Sequence, residues 1–207
     1  MTVSIVIPTY NRTALLLDRS LPSALAQTDP DIEVLIVGDG TEQATVDAMA
    51  SVTDPRVSFT NLPHHVPLDD PQAEWCSLGA APAAWGIAHA TGDWVTVLGD
   101  DDALDPHYIE RLRPFTADAD VIYPRAEVVG HGCLGSWPPR PSGFVNTLWR
   151  RSTGFTLDPE SWRRGIVCDW DMWSRMLAAG LRWVFVDEVL YRYFPANRVP
   201  VVDEVAA

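Results

Sequence analysis

The sequence predicts an α/β fold: an open, mostly parallel, twisted sheet flanked by helices. Three observations lead there. Across residues 1–115, strand-like runs (Val3 to Ile7, Ile32 to Val37, Val57 to Thr60, Trp94 to Leu98) alternate with helical patterns, as in parallel sheets covered by helices. Val3 to Ile7, Ile32 to Val37 and Trp94 to Leu98 are mostly apolar runs, as strands buried on both faces are, and Val57 to Thr60 is a third, short strand. Three of them end in polar residues, Thr9 to Asn11, Asp39, and Asp100 to Asp102. The carboxyl ends of strands are where such sheets bind ligands.

The elements follow in order. Pro8 closes the first run. Thr13 reads as the cap of the next helix, with Leu15, Leu16 and Leu21 as apolar positions and Pro22 as a kink or a shifted start. Gly38 and Gly40 suit a tight turn that presents Asp39. Glu42 to Ser51 reads as helix. Asn61 to Ser77, with Pro63, Pro67 and Pro71, reads as loop, and His64 and His65 as exposed loop residues. Leu78 to Ala90 is Ala-rich and helical, and Pro106 sits in the first turn of a helix that runs to about Phe115.

After Asp120 the alternation stops. Val121 to Tyr123, Glu127 to Val129, Phe144 to Trp149, Trp183 to Val186 and Val189 to Tyr193 read as short strands. Gly130 to Gly143, rich in Gly and Pro, reads as a lid or an irregular connection. Glu160 to Arg164 reads as a helical turn. Asp169 to Ala179 is the clearest helix of this half, with Trp173, Met176 and Leu177 on one face and Gly180 as its stop. Pro195 to Ala207 reads as a loose tail. We expect one domain, 1–207.

Composition narrows the function. A formal charge of −13 and a pI near 4.6 argue against nucleic-acid backbones and anionic membrane surfaces. Cys76, Cys133 and Cys168 are far apart and contain no CxxC pair, so reduced thiols and a cytoplasmic location are expected. No apolar run reaches the roughly 18 residues of a membrane span.

Asp100-Asp101-Asp102 is the chemically loaded stretch. Three adjacent carboxylates at the end of a core strand repel one another and lose hydration. Two readings follow: a solvated acidic loop capping the next helix, or an oxygen-ligand site for Mg²⁺, Mn²⁺ or Ca²⁺. The shared strand-end location of Thr9, Asp39 and the triplet favours the second. Asp169 reads by itself as a helix cap. Arg12, Arg125, Arg150 and Arg151 are candidates to meet a diphosphate, with surface ion pairing as their ordinary role.

Four motifs in order, Val3-Ser-Ile-Val-Ile-Pro-Thr-Tyr-Asn-Arg12, Glu33-Val-Leu-Ile-Val-Gly-Asp-Gly-Thr41, Ala90-Thr-Gly-Asp-Trp-Val-Thr-Val-Leu-Gly-Asp-Asp-Asp102 and Asp169-Trp-Asp-Met-Trp-Ser-Arg175, resemble the family 2 glycosyltransferases of GT-A fold. The resemblance implies a Rossmann-like, nucleotide-sugar-binding half (1–115) and an acceptor-binding half (116–194). It implies that Pro8, Thr9 and Tyr10 line the nucleoside pocket, with Arg12 near the diphosphate. Asp39 would bond a uracil ring and Asp100 the ribose. Asp101 and Asp102 would hold Mn²⁺ or Mg²⁺, and Asp169 would be the general base of an inverting transfer. The implied partners are a nucleotide sugar, most simply a UDP-sugar, and a glycan, lipid-linked or small-molecule acceptor. The chain departs from the pattern at Gly38 (where an Asp is common), at Gly99, at Pro82-Ala83-Ala84 (where an arginine is usual), at Cys168 (where a Glu is usual) and in Tyr191-Arg192-Tyr193-Phe194 (where a histidine often follows Tyr-Arg). A nucleotide-sugar-binding protein without turnover is the alternative; a sugar-1-phosphate nucleotidyltransferase lacks support, because no glycine-rich loop follows Ile7.

Overall fold

Four strands build the parallel half of the sheet: β1 (Val3–Thr9), β2 (Ile32–Gly38), β3 (Val57–Asn61) and β4 (Trp94–Val97). They lie in the order β3-β2-β1-β4. The computed structural model describes residues 1–65, 73, 77, 79–135 and 146–195. Thr9 is level with Gly38, and Val6 with Val97, so the carboxyl ends of β1, β2 and β4 open onto one rim.

The apolar runs reflect burial on both faces. Ile5 and Ile7 enter one core layer with Leu16, Leu21, Tyr108, Ile109 and Leu112. Val6 points the other way, into a layer with Ala80, Ala83, Ile87, Trp149, Trp173 and Met176. The first layer is covered by a continuous helix α1, made of segments Thr13–Leu15, Leu16–Ser20 and Leu21–Leu25, together with α2 (Gln43–Met49) and α4 (Tyr108–Leu112). The second is covered by α3 (Ala80–His89) and α5 (Cys168–Ala178).

The sheet continues past β4 through β8 (Leu148–Arg150), β6 (Val121–Val128), β9 (Trp183–Tyr193) and β5 (Ala103–Leu104), with β7 (Gly132–Leu134) hairpinned onto β6. The β4–β8, β8–β6 and β9–β5 pairings are antiparallel, whereas β6 and β9 form a long parallel ladder. The two residues of β5 immediately follow the acidic triplet, and Leu104 pairs with Tyr191.

Several local expectations are corrected. Thr13 is the first helical residue, not a cap, and its hydroxyl bonds Thr45 Oγ1 at 2.6 Å. Leu15 is exposed, whereas Leu16 and Leu21 are buried. Pro22 lacks an N–H for the preceding turn, and the chain widens there into the π segment Leu16–Ser20. Ala73 and Ser77 are helical and buried, not loop. The two strands expected around 121–129 are one, β6, and those around 183–193 are one, β9. Register shifts beside Pro124 and opposite Asp187-Glu188 broke the local pattern. On α5, Leu177 is exposed, and the buried face is Asp169, Met172, Trp173 and Met176. The glycine-rich stretch supplies β7 in its described part. Its residues 136–143, the expected strand start at Phe144, the helix start at Leu78, Cys76 and the tail from 196 lie outside the described residues. No described helix is long and apolar enough to cross a membrane.

Gly86 lets α3 approach the sheet: a Cβ there would lie 2.5 Å from Val6 Cγ1 and 3.2 Å from Val37 Cγ2. Gly86→Ala gains up to about 1 kcal/mol of helix propensity, but overpacking two stiff valines costs about 1–3 kcal/mol. Net destabilisation is expected, read as a lower urea midpoint at unchanged m-value; an unchanged or raised midpoint would contradict this packing.

Candidate functional site

The rim at the ends of β1, β2 and β4 carries the polar groups. Three loops lock it. Asn11 adopts φ +53°, a conformation that Asn tolerates better than most residues. Its side-chain oxygen accepts from Thr41 Oγ1 and the Glu42 amide, both at 2.8 Å. Thr41 in turn exchanges backbone bonds with the Asn61 side chain (2.9 and 3.0 Å). The loops after β1, β2 and β3 are therefore tied by two asparagines and one threonine. Gly38 is required here, since a Cβ would sit 2.6 Å from Asn61 Oδ1.

Asp39 is buried at the end of β2. Its Oδ2 is 2.8 Å from His65 Nδ1, while its Oδ1 is buried with no partner among the described residues. His65 also stacks on Tyr10, ring centroids 3.9 Å apart and nearly parallel. His65 is thus a site residue and not a bland loop residue. The loop composition hid it, because its partners arrive from β1 and β2. Pro8 is half-buried.

The triplet divides its carboxylates. Asp100 is buried, and its Oδ2 accepts from Thr9 Oγ1 at 2.8 Å. Asp101 accepts from Arg12 at 2.6 Å, and the same Arg12 nitrogen is 3.4 Å from Asp100. Asp102 receives the Tyr191 hydroxyl at 2.7 Å and the Phe194 amide at 2.9 Å. Burial raises Asp100 to about 6 and Asp102 to about 7, with the charge of Asp101 adding to both and Arg12 opposing it at Asp100. Arg19 donates to the Asp101 carbonyl at 2.5 Å and lies 3.8 Å over the Phe194 ring.

No described group of three or more His, Cys, Asp or Glu is arranged to hold a metal alone. Nucleotide-dependent sites need no such cage, since one or two carboxylates plus phosphate oxygens suffice for Mg²⁺. The residues fit that arrangement. Asp102 Oδ2 and Asp101 Oδ1 converge beside Gly99, where a Cβ would be 2.8 and 3.3 Å from them. Among the described residues three carboxylates here have one ion-pair partner, Arg12.

Asp169 is the second residue of α5, not its cap. Its Oδ1 accepts from the Trp170 amide at 2.6 Å, and burial raises it to about 6. Burial raises the Tyr193 hydroxyl, and the charges of Asp102, Asp101 and Asp169 add to this while Arg12 opposes it, so Tyr193 is within electrostatic reach of both the triplet and Asp169. Asp171 is a structural carboxylate, held by Arg164 and Arg175 at 2.8 Å each. Trp173 is core, and Trp170 is half-buried beside it.

Of the other arginines, Arg150 packs over Trp94 and bonds the Thr116 and Ala119 carbonyls, and Arg151 bonds the Gly92 carbonyl. Both belong to the amino-terminal end of β4, opposite the rim, so neither meets a ligand there. Arg125 pairs with Asp187. Arg19, Tyr191, Tyr193 and His65 are the site residues that local patterns did not reveal.

Residues 4–66 and 79–175 match the family model described as glycosyl transferase family 2. Among curated relatives, the succinoglycan biosynthesis protein ExoO of Rhizobium meliloti is 33% identical over 129 residues, 61% of this chain and 34% of that protein. The chain spans between about a third and about a half of the length of the first curated relatives it matches. Among solved structures, Staphylococcus aureus TarS residues 1–349 in complex with UDP-GlcNAc superposes with a TM-score of 0.73 at 17% identity, covering 95% of this chain and 59% of that one. The mannosyltransferase PcManGT of Pyrobaculum calidifontis, in complex with GDP-Man and Mn²⁺, gives 0.69 at 16%, covering 95% and 57%. The sheet is thus of the GT-A glycosyltransferase type.

The raised Asp169 has a stability consequence. Its folded value lies above its unfolded one, so its destabilising effect is absent below about pH 4, grows through about pH 6 and is full above. Asp169→Asn keeps the bond to Trp170 and should stabilise the fold at pH 7.5 by about 2–3 kcal/mol, with the gain vanishing near pH 4. Urea unfolding at the two pH values measures this; equal gains at both would contradict it.

Proposed function

The chain belongs to glycosyl transferase family 2, and we propose that it transfers a sugar, with inversion, from a nucleoside diphosphate sugar to an acceptor hydroxyl with the aid of Mn²⁺ or Mg²⁺. A UDP-sugar is the donor we favour. One observation carries the reading: Thr9, Asp39 and the triplet lie on one rim, at the carboxyl ends of β1, β2 and β4, with Thr9 bonded to Asp100.

In this reading Oδ1 of Asp39, which has no partner among the described residues, accepts an N–H of the base, beside Pro8 and Tyr10. Asp100, held by Thr9, faces the ribose. Asp101 and Asp102 hold the divalent ion. The chemistry that ion supplies is neutralisation of charge on the departing diphosphate. Arg12 and Arg19, beside the triplet, supply the positive charge that α3 lacks, since Pro82 and Ala83 are buried in its packing.

Asp169 takes the acceptor proton as the hydroxyl oxygen forms its bond to the anomeric carbon. The bond from that carbon to the diphosphate breaks, and its electrons leave with the nucleoside diphosphate. A carboxylate raised to about 6 by burial is ionised at neutral pH and more basic than a solvated one. Half-buried Trp170 offers an apolar face for the acceptor next to that base.

Donor turnover, with hydrolysis as the readout in the absence of acceptor, tests this. Asp169→Asn should retain nucleotide affinity but lose about 10²–10⁴-fold in turnover. Wild-type turnover should fall as pH drops through about 6, because the base must be ionised. Near-wild-type turnover by Asp169→Asn would sink the base assignment. Asp101→Ala should weaken UDP binding in Mn²⁺ and change it little in chelator; equal losses under both conditions would remove Asp101 from the metal site.

A further inference from the structure

We propose that His65 is a specificity-determining residue: by occupying one oxygen of Asp39 it makes the site select a uracil-type base over guanine. The inference rests on the reading of this rim as a nucleoside diphosphate sugar site.

Asp39 Oδ2 lies 2.8 Å from His65 Nδ1. A carboxylate only accepts, so Nδ1 carries the proton and donates. The His65 ring is held on two sides, and its backbone on a third. Tyr10 stacks on its face at 3.9 Å, Asp39 holds its edge, and its backbone packs on Gly40. At Gly40, φ is +64° and a Cβ would lie 2.2 Å from the His65 nitrogen. This is a seated ring, not a surface histidine free to turn. The second oxygen, Oδ1, is buried with no partner among the described residues. A buried acceptor of this kind carries a desolvation cost that a ligand N–H removes.

With one lone pair of Oδ2 taken by His65, Oδ1 is the carboxylate oxygen of Asp39 with no partner among the described residues. The uracil imide offers one N–H between two carbonyls. One acceptor satisfies it, and a second free carboxylate oxygen would face a carbonyl. Guanine offers a ring N–H and an exocyclic amine side by side, a pair that matches both oxygens of an uncommitted carboxylate. His65 already donates to the second oxygen, leaving it a weaker and more crowded acceptor for the amine, and so penalises guanine. Asp39 alone would not discriminate in this way.

Calorimetric titration of the full chain with UDP and with GDP, in Mn²⁺, tests the proposal on wild type, His65→Phe and His65→Asn. Phe keeps an aromatic face for Tyr10 but has no donor; Asn restores a donor. Wild type should prefer UDP. His65→Phe should reduce the UDP-to-GDP preference by about tenfold or more, and His65→Asn should recover most of it. The ratio on one preparation does not depend on its folded fraction. An unchanged ratio in His65→Phe, with both affinities falling together, would reduce His65 to packing and overturn the proposal. So would a wild-type preference for GDP; in both cases nucleotide binding stands, and with it the glycosyltransferase reading. Binding of neither nucleotide by wild type would overturn the reading and the proposal together.

Discussion

Three consecutive carboxyl groups at the end of a core strand are the constraint on which the rest of the structure depends. Burying carboxylates without partners costs several kcal/mol each, and Asp100 and Asp102 are both buried. The chain meets this from two distant places. Thr9 and Arg12 come from the loop after β1, whereas the Tyr191 hydroxyl and the Phe194 amide come from the end of β9. Those two donors arrive about ninety residues after the acid they hold. The short strand β5, immediately after the triplet, pairs Leu104 with Tyr191 and brings the tyrosine into reach. Joining the two halves of the sheet and organising the acidic site are therefore the same event.

The remainder of the rim is preorganised by neutral contacts. Asn11, Thr41 and Asn61 tie three loops without spending a charge. Among the described residues, Asp39 Oδ1, buried without a partner, and Asp101, the most accessible acid of the triplet, keep spare acceptor capacity. Polar groups already fixed in place need little reorganisation when a ligand arrives. The opposite end of β4 shows the contrast: there Arg150 and Arg151 are consumed by backbone carbonyls, and the sheet is simply closed.

The legible parts of the chain were those governed by local pattern. Strands β1, β2 and β4 announced themselves because both faces are buried, which makes their sequences mostly apolar. Strands β6 and β9 were each split in two, because Pro124 and the charged pair Asp187-Glu188 interrupt the pattern while the ladder resumes beyond them. Leu177 looked like a core residue by spacing, yet the face turned inward carries Asp169 and Met172 instead. His65 looked like loop, since nothing adjacent in sequence predicts a stack on Tyr10.

The sequence by itself determined the α/β class, the order of the first four strands along the chain, and the position of Asp39, the triplet and Asp169 at element ends. Those features follow from the two periodicities of strand and helix and from where apolar runs stop. Only the tertiary structure decided which partner each charge received: Arg12 for Asp101, Tyr191 for Asp102, His65 for Asp39, Asp120 and backbone carbonyls for Arg150, and a backbone carbonyl for Arg151. Partner choice depends on which chain segments the sheet brings within 3 Å, and contacts between residues 26 to 92 positions apart leave no mark on local spacing.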